Sequence, residues 1–206
     1  MKASGIVLAG GKSLRFGQNK SFVTIGNKSL LEQVVSCLSP VCRDIIIVTT
    51  GEPTIPQFIR NPKIKVLTDF YPGKGPLGGI YTGLKASGTH FNLVVAADMP
   101  FLNPELLRYM LSLADSYDLI VPRVGKLVEP LHAVYTKSCL SPIERMITNN
   151  ELHVSQLFSL VRVRYVETEE IEKFDPRHLS FFNINTEADL AKAREIAEGE
   201  TNRDKC

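Results

Sequence analysis

Hydrophobic residues in this chain form short runs that are separated by segments of a different periodicity. The runs at 6–9, 44–50, 64–67, 91–97 and 118–121 are rich in apolar and β-branched residues and lack polar alternation. Runs of this kind are typical of strands that are buried on both faces of a parallel sheet. The run at 91–97 predicts the central strand.

Apart from the proline-containing segment 51–63, which indicates a loop, the segments between the runs have helical spacing and residues that favour helix boundaries. Ser29 can cap the first helix, and Pro76 and Pro104 suit the first turns of the next two. Thr186 can cap a final helix of about eleven residues. Strands that alternate with helices predict an α/β fold, a doubly wound and mostly parallel sheet with helices on both faces. Such folds bind ligands beyond the carboxyl ends of the strands.

Residues 122–182 have a different rhythm, in which 126–128 and 131–135 suggest a strand pair around Glu129-Pro130, followed by helical stretches and one alternating strand. We interpret them as an irregular insertion that lies over the sheet formed by residues 1–121. A closing helix over 183–198 and a polar tail over 199–206 complete a chain that we expect to form a single domain.

The composition is that of an ordinary globular chain. Hydrophobic residues make up 44% of the 206 positions and charged residues 22%, and the length suffices to bury a core. The net charge is +2 without long runs of like charge, which argues against a nucleic-acid groove that must neutralise many phosphates. The first apolar run is too short for a signal peptide, and no later run approaches a membrane span. We therefore expect a cytoplasmic protein with no nucleic-acid or membrane partner.

The cysteines and histidines indicate no metal or nucleophilic chemistry. The four cysteines form no C-x-x-C pair, and the four histidines are scattered singly. These spacings favour reduced thiols, and histidines that are structural or exposed, over a zinc site.

The first apolar run opens into a glycine-rich loop that is followed by three cations. Gly10 and Gly11 have no Cβ, so the backbone there can take positive φ and bring its N–H groups close to an anion. Lys12, Arg15 and Lys20 would supply the countercharge. Neither G-x-x-x-x-G-K-[ST] nor G-x-G-x-x-G occurs at this place, so the pattern predicts another kind of phosphate-binding loop.

Two aspartates follow predicted strands. Asp98 comes where the run at 91–97 ends, so its carboxylate should project into the site and hold Mg²⁺ together with phosphate oxygens and water. Asp69 has the same position after the run at 64–67, just before a second glycine-rich loop, and could share the metal or accept hydrogen bonds from a base or ribose. The structural alternatives are that Asp98 caps the next helix or turn and that Asp69 only forms a turn. The phosphate loop favours the metal for Asp98.

The first loop resembles the signature of a known family. The stretch from Leu8 to Lys20 reads L-A-G-G-x-S-x-R-F-G-x-N-K, and the molybdenum cofactor guanylyltransferase family carries L-A-G-G-x-S-x-R-M-G-x-D-K. Four further motifs occur in the family's order and extend the resemblance over nearly the whole chain. They are Gly75-Pro76-Leu77-Gly78-Gly79, Asp98-Met99-Pro100, Glu129-Pro130-Leu131 and Asn183-Ile184-Asn185-Thr186.

The resemblance implies a Rossmann-like nucleotidyltransferase fold and a role for each matching residue. The residues that we expect to bind GTP are Leu8, Ala9, Gly10, Gly11, Ser13, Lys20, Asp69, Pro76, Leu77 and Asp98. The residues that we expect to act in catalysis are Arg15, Lys20 and Asp98, of which Asp98 is also the metal ligand.

Residues that depart from the family pattern bear on these roles. The family's L-A-G-G and G-P-L-x-G segments go with guanine, whereas the related cytidylyltransferases carry L-A-A-G, so by the resemblance Gly11 and Pro76 put this chain on the guanine side. Phe16 replaces the usual Met, Asn19 the usual Asp and Gly78 a common Ala. The loss of the acid at position 19 removes a carboxylate near the triphosphate, which should not block phosphate binding.

The resemblance also implies the reaction, which is transfer of GMP from Mg·GTP to the terminal phosphate of molybdopterin with release of pyrophosphate. On this interpretation 1–121 is the nucleotide-binding half and 122–182 the acceptor side. Cofactor-carrying proteins and acceptor apo-enzymes are further candidate partners.

Two alternative functions stay open. One is a related nucleotidyltransferase that uses CTP or another small phosphate acceptor, and the other is a nucleotide-binding or cofactor-binding adaptor that does not turn over. The sequence also leaves open the oligomeric state and whether Glu129, Asn183 or Asn185 touch a ligand.

Overall fold

A computed structural model of the protein describes residues 2–10, 23–51 and 61–203. The strands are β1 (Ala3–Leu8), β2 (Thr24–Ile25), β3 (Lys28–Ser29), β4 (Asp44–Thr49), β5 (Ile64–Thr68), β6 (Phe91–Ala96), β7 (Leu119–Val124), β8 (Leu127–Val128), β9 (His132–Thr136) and β10 (Val163–Glu167). The α-helices are α1 (Leu30–Leu38), α2 (Gly75–Ala86), α3 (Pro104–Ser112), α4 (Leu140–Thr148), α5 (Thr168–Ile171) and α6 (Glu187–Arg203).

One mixed, mostly parallel sheet organises the molecule. Its strand order is β10-β7-β9-β6-β1-β4-β5, with β8 paired to β7 outside this path. The neighbours β6, β1, β4 and β5 are parallel, and so are β7 and β10. Strand β9 is antiparallel to both β6 and β7, so those two run in the same direction. The α/β fold class and the central position of the 91–97 strand are confirmed.

Helices cover both faces of this sheet, as the doubly wound prediction requires. Helices α1 and α3 pack on one face, where Val34 and Leu107 are fully buried among the side chains of β1 and β6. Helices α2 and α4 pack on the other face around Ile80 and Ile143. The predicted cap of α1 is present, because the Glu32 N–H donates to Ser29 Oγ (3.2 Å) in a capping box.

The interpretation of residues 122–182 as an insertion over the sheet is wrong for two of its strands. Strand β9 lies inside the sheet and β10 forms its edge, while β8 pairs with β7 rather than with β9. All five residues of His132–Thr136 are buried. In a two-stranded ribbon above the sheet, one face of β9 would be exposed to water. Between β6 and β7, the helices on the two sides of the sheet cover both faces of β9.

A third, smaller core joins the end of the chain to the segment that follows the first loop. Helix α6 buries Leu190 and Ala193 against Ile25 and Leu30, together with Ile184. The Asp189 N–H donates to Thr186 Oγ1 (3.1 Å), which confirms the predicted cap. The helix extends to Arg203, so the tail expected from residue 199 is helical over its first residues.

None of the helices in the described ranges combines the length and hydrophobicity that a membrane span requires.

Candidate active site

The carboxyl ends of β1, β4, β5 and β6 meet at one edge of the sheet, and backbone hydrogen bonds hold the segments that leave them. The Ala97 N–H donates to the Leu8 carbonyl (3.1 Å), and the Ala9 N–H donates to the Val48 carbonyl (2.8 Å). The Asp69 N–H donates to the Thr49 carbonyl (2.8 Å). The structure thus brings Leu8, Ala9 and Gly10 together with the segments that carry Asp69 and Asp98.

Gly10 is required for close packing rather than for a left-handed backbone. Its backbone φ angle is not positive, in contrast to that of Gly26 or Gly75. A Cβ built at Gly10 would lie 2.6 Å from Thr50 Cγ2, which no side chain tolerates. The expectation of positive φ at this position is therefore wrong, and the glycine instead lets the loop pass against the end of β4.

The rest of the first loop lies outside the described residues. The expectations for Gly11, Lys12, Ser13, Arg15 and Lys20, and those for the departures at Phe16 and Asn19, remain predictions.

Asp69 is buried and forms a turn. Its Oδ1 accepts hydrogen bonds from the Tyr71 N–H (2.9 Å) and from Thr82 Oγ1 (2.9 Å). A Cβ at Gly78 would lie 2.8 Å from Asp69 Oδ2 and 2.8 Å from the Tyr71 carbonyl oxygen. Glycine at position 78, which departs from the family's common Ala, therefore fits the close approach of α2 to this turn. The structural alternative for Asp69 is present, and its contact with the nucleotide remains a prediction.

Helix α2 begins beside the site and packs directly on β1. Pro76 lies in its first turn and is exposed, whereas the Leu77 side chain is fully buried in the core. A contact of Leu77 with a nucleotide would therefore have to come from its backbone. The Lys74 ammonium donates to Asn150 Oδ1 (2.9 Å), which ties the start of α2 to the end of α4.

Sequence reasoning missed the glycine that sets the distance between α2 and β1. A Cβ at Gly83 would lie 2.4 Å from Ile6 Cγ2. The glycines at 75, 79 and 83 recur at four-residue spacing, and this periodicity is the signal that identifies a helix face without side chains.

Asp98 lies two residues beyond β6, at the middle of the edge, and is partly buried. Its carbonyl accepts a hydrogen bond from the Ile184 N–H (3.1 Å), so the Asn183–Asn185 segment runs beside it. The cap of the following helix α3 is Asn103, whose Oδ1 accepts from the N–H groups of Glu105 (2.8 Å) and Leu106 (3.1 Å). The alternative in which Asp98 caps that helix is therefore excluded.

Comparison with known proteins agrees with this arrangement. The family model described as "MobA-like NTP transferase domain" matches residues 5–164. A protein of Pelotomaculum thermopropionicum named "Probable molybdenum cofactor guanylyltransferase" is 38% identical over 96% of this chain and 95% of its own length. A "Molybdenum cofactor guanylyltransferase" of Desulfosudis oleivorans is 33% identical over 92% of this chain and 93% of its own.

A solved structure agrees as well. The molybdopterin-guanine dinucleotide biosynthesis protein A of Archaeoglobus fulgidus superposes with a TM-score of 0.82 at 30% identity, over 95% of this chain and 99% of that one. The chain belongs to the molybdenum cofactor guanylyltransferase family. The resemblance stated from the motifs is confirmed.

As a molybdenum cofactor guanylyltransferase family member, the chain is an enzyme with a nucleotidyltransferase fold. Membership does not by itself assign the site residues. Of the expected set, the structure places Leu8, Ala9, Gly10 and Asp98 at one edge and directs Asp69 into a turn.

Glu129, whose role the sequence left open, lies at the same edge. It connects β8 to β9, and β9 starts beside the end of β6, where the Ala96 N–H donates to the Leu131 carbonyl (3.1 Å). The Glu129 side chain is half-buried, and burial raises the pKa of its carboxyl. The E-P-L motif therefore shares an edge with D-M-P although thirty residues separate them in the chain.

Proposed function

We propose that this protein transfers GMP from Mg·GTP to the terminal phosphate of molybdopterin and releases pyrophosphate. The observation that carries the proposal is the juxtaposition of Asp98, at the end of β6, with Leu8 to Gly10, at the end of the neighbouring strand β1. A metal-binding carboxylate and a nucleotide loop are the two parts that a nucleotidyl transfer requires. The names of the relatives and of the similar structure support guanine and molybdopterin as the substrates.

The chemistry needs little from the protein apart from position and charge. A phosphate monoester has a second pKa of about 6, so the acceptor is mostly ionised at neutral pH and needs no general base. One of its oxygens attacks the α-phosphorus of GTP, the bond between the α-phosphorus and the bridging oxygen breaks, and the electron pair leaves with pyrophosphate. What remains for the residues of the site is in-line alignment and neutralisation of developing negative charge.

The described residues suit Mg²⁺ as the resident metal. They contain no group of three or more His, Cys, Asp or Glu side chains that could form an all-protein cage. Mg²⁺ is commonly held by one or two carboxylates, with phosphate oxygens and water completing its octahedron. Asp98 would supply the carboxylate, and the bound ion would supply Lewis-acid stabilisation of phosphate charge.

The first loop would complete the nucleotide site. Arg15 and Lys20 would neutralise the triphosphate, Gly11 and Ser13 would donate to it, and Asp69, Pro76 and Leu77 would border the nucleoside. The acceptor would approach from the other side of Asp98, where β9, β7 and β10 lie. In this arrangement the α-phosphorus of GTP would lie between the attacking oxygen of the acceptor and the leaving pyrophosphate, as in-line transfer requires.

The test is a product analysis. We expect that the protein, incubated with Mg²⁺, molybdopterin and each of the four NTPs in turn, will form from GTP alone a dinucleotide of the mass of GMP plus molybdopterin less one water, with stoichiometric pyrophosphate. A product from CTP would identify the related cytidylyltransferase activity. Tight GTP binding without pyrophosphate release would instead favour an adaptor, for which cofactor-carrying proteins and acceptor apo-enzymes would be the partners.

A further inference from the structure

The connector between β8 and β9 contains Glu129, whose side chain takes no part in shaping this turn. Its backbone is fixed at three points. The Glu129 N–H donates to the Pro122 carbonyl (3.1 Å), the Glu129 carbonyl accepts from the His132 N–H (3.1 Å), and the Pro130 carbonyl accepts from the fully buried Tyr135 hydroxyl (2.9 Å). The turn is therefore shaped by main-chain groups and by Pro130, and any residue other than proline could supply the N–H and carbonyl of position 129.

The Glu129 carboxylate differs from the other partly buried glutamates in having no donor. Glu167 pairs with Arg123, Glu170 with Arg164, and Glu32 accepts from the Ser29 N–H (2.7 Å). No hydrogen bond or ion pair joins the Glu129 side chain to any described residue, and burial raises its pKa. Partial burial of a carboxylate without a donor costs free energy, which a ligand donor would offset.

The place of Glu129 restricts which ligand group it can face. It lies on the β9 side of β6, whereas Leu8 to Gly10 and the loop after Asp69 lie on the β1 side. A carboxylate would repel the phosphate groups of both substrates, so among their organic groups it suits a neutral one with N–H donors. An ionised carboxylate has only acceptors, in a planar pair that suits two adjacent N–H groups.

We infer that Glu129 binds the 2-amino-4-oxopyrimidine edge of the acceptor's pterin ring, where a ring N–H and an amino N–H lie side by side. The inference rests on the proposed function, because it takes molybdopterin as the acceptor. Guanine carries the same pair of donors, so the chemistry alone would fit either substrate. The position of Glu129 on the β9 side of β6, with Leu8 to Gly10 on the β1 side, favours the acceptor.

Glu129→Gln tests this assignment with little risk to the fold, since it keeps the shape and replaces one acceptor oxygen by a donor. At saturating Mg·GTP we expect the KM for molybdopterin to rise about tenfold, as the loss of a charge-assisted pair predicts. The KM for GTP, the Mg²⁺ concentration for half-maximal rate and the melting temperature should stay at the native values. Glu169→Gln, at an exposed position just after β10 on the same edge, is the matched control and should change none of these quantities.

Other outcomes would overturn the inference in distinguishable ways. A rise in the KM for GTP would assign Glu129 to guanine, a raised Mg²⁺ requirement would make it a metal ligand, and a lowered melting temperature with unchanged KM values would make it structural. Calorimetric binding of 6-hydroxymethylpterin to the native protein and to Glu129→Gln provides a readout without turnover. If the native protein fails to form the dinucleotide, the proposed function fails. If it turns over and Glu129→Gln behaves as native in both assays, only the inference fails.

Discussion

The strands on the two sides of β6 reach the sheet by different routes. On the side that we propose for the nucleotide, β1, β4 and β5 lie next to one another in the sheet in their order along the chain, all parallel, and only the short β2–β3 pair and α1 intervene between β1 and β4. On the acceptor side, β9 enters between β6 and β7 against their direction, and β10 joins the edge from 27 residues further along the chain. Local βαβ succession can be inferred from hydrophobic runs, whereas the insertion of β9 is decided by which neighbours bury its two faces.

The two sides meet at Asp98, so its loss should produce the largest effect. We expect Asp98→Asn to lower the rate of pyrophosphate release by about a thousandfold, because the site would lose the carboxylate that we propose as the ligand of the metal ion. The melting temperature should stay near the native value. The control is Asp115→Asn at an exposed position beyond α3. A mutant with near-native turnover would remove Asp98 from the mechanism.

The acceptor side contains a buried histidine that should make stability depend on pH. His132, at the start of β9, is fully buried, and burial lowers its pKa to about 4 despite the opposing charge of Asp175. In the unfolded chain the His132 imidazole is protonated near pH 6.5, whereas in the folded protein it stays neutral until the pH is about 4. The free energy of unfolding therefore falls as the pH falls from about 6.5 to about 4. The total contribution is about 3 kcal/mol.

His132→Leu removes this proton and should flatten the decline. We expect urea unfolding between pH 4.5 and 7 to show a smaller loss of unfolding free energy in the mutant than in the native protein. His153→Gln, at an exposed position, should leave the decline unchanged. A native pH profile in His132→Leu would show that other groups cause the acid sensitivity.

The packing of α2 on β1 gives a test on the nucleotide side. Gly83→Ala places a methyl group 2.4 Å from Ile6 Cγ2 in a fully buried contact, which should cost about 2 kcal/mol of unfolding free energy even after the gain in helix propensity. Gly199→Ala is the matched control, since it lies in α6 with nothing within 4 Å and should be neutral or stabilising. Equal effects of the two substitutions in urea unfolding would contradict the packing explanation.

Particular residues show where sequence reasoning succeeds and where it ends. The Ser29 and Thr186 caps were predictable because a cap depends on residues three positions apart. The place of Asp98 followed from the end of a buried strand. The strand order around β9 could not be predicted from the sequence. Glu129 and Pro130 between two short apolar runs also suit a hairpin of β8 and β9, and only the burial of both faces of β9 between β6 and β7 distinguishes the observed sheet from that hairpin. Gly10 was identified, but for the wrong physical reason, since the approach of Thr50 is a contact between distant segments.

The smallest expected effect on stability separates the two roles of Asp69. Thr82 Oγ1 donates to Asp69 Oδ1 (2.9 Å) and accepts from the Phe70 N–H (2.9 Å), so Thr82→Val removes both hydrogen bonds while keeping the side-chain shape. We expect a loss of about 1 kcal/mol in unfolding free energy. If Asp69 contacts the nucleotide, the loosened carboxylate should also raise the KM for GTP several-fold at an unchanged KM for molybdopterin.

Thr148→Val serves as the control for this substitution, because its hydroxyl is exposed and bonds only to a carbonyl of its own helix. A stability loss in Thr82→Val with both KM values unchanged would restrict Asp69 to forming the turn. The nucleotide side would then bind GTP through the first loop and α2, with Asp69 only fixing where α2 begins. Glu129→Gln should change the KM for molybdopterin alone. If Thr82→Val changes the KM for GTP alone, the two variants together assign the β1 side of β6 to GTP and the β9 side to molybdopterin.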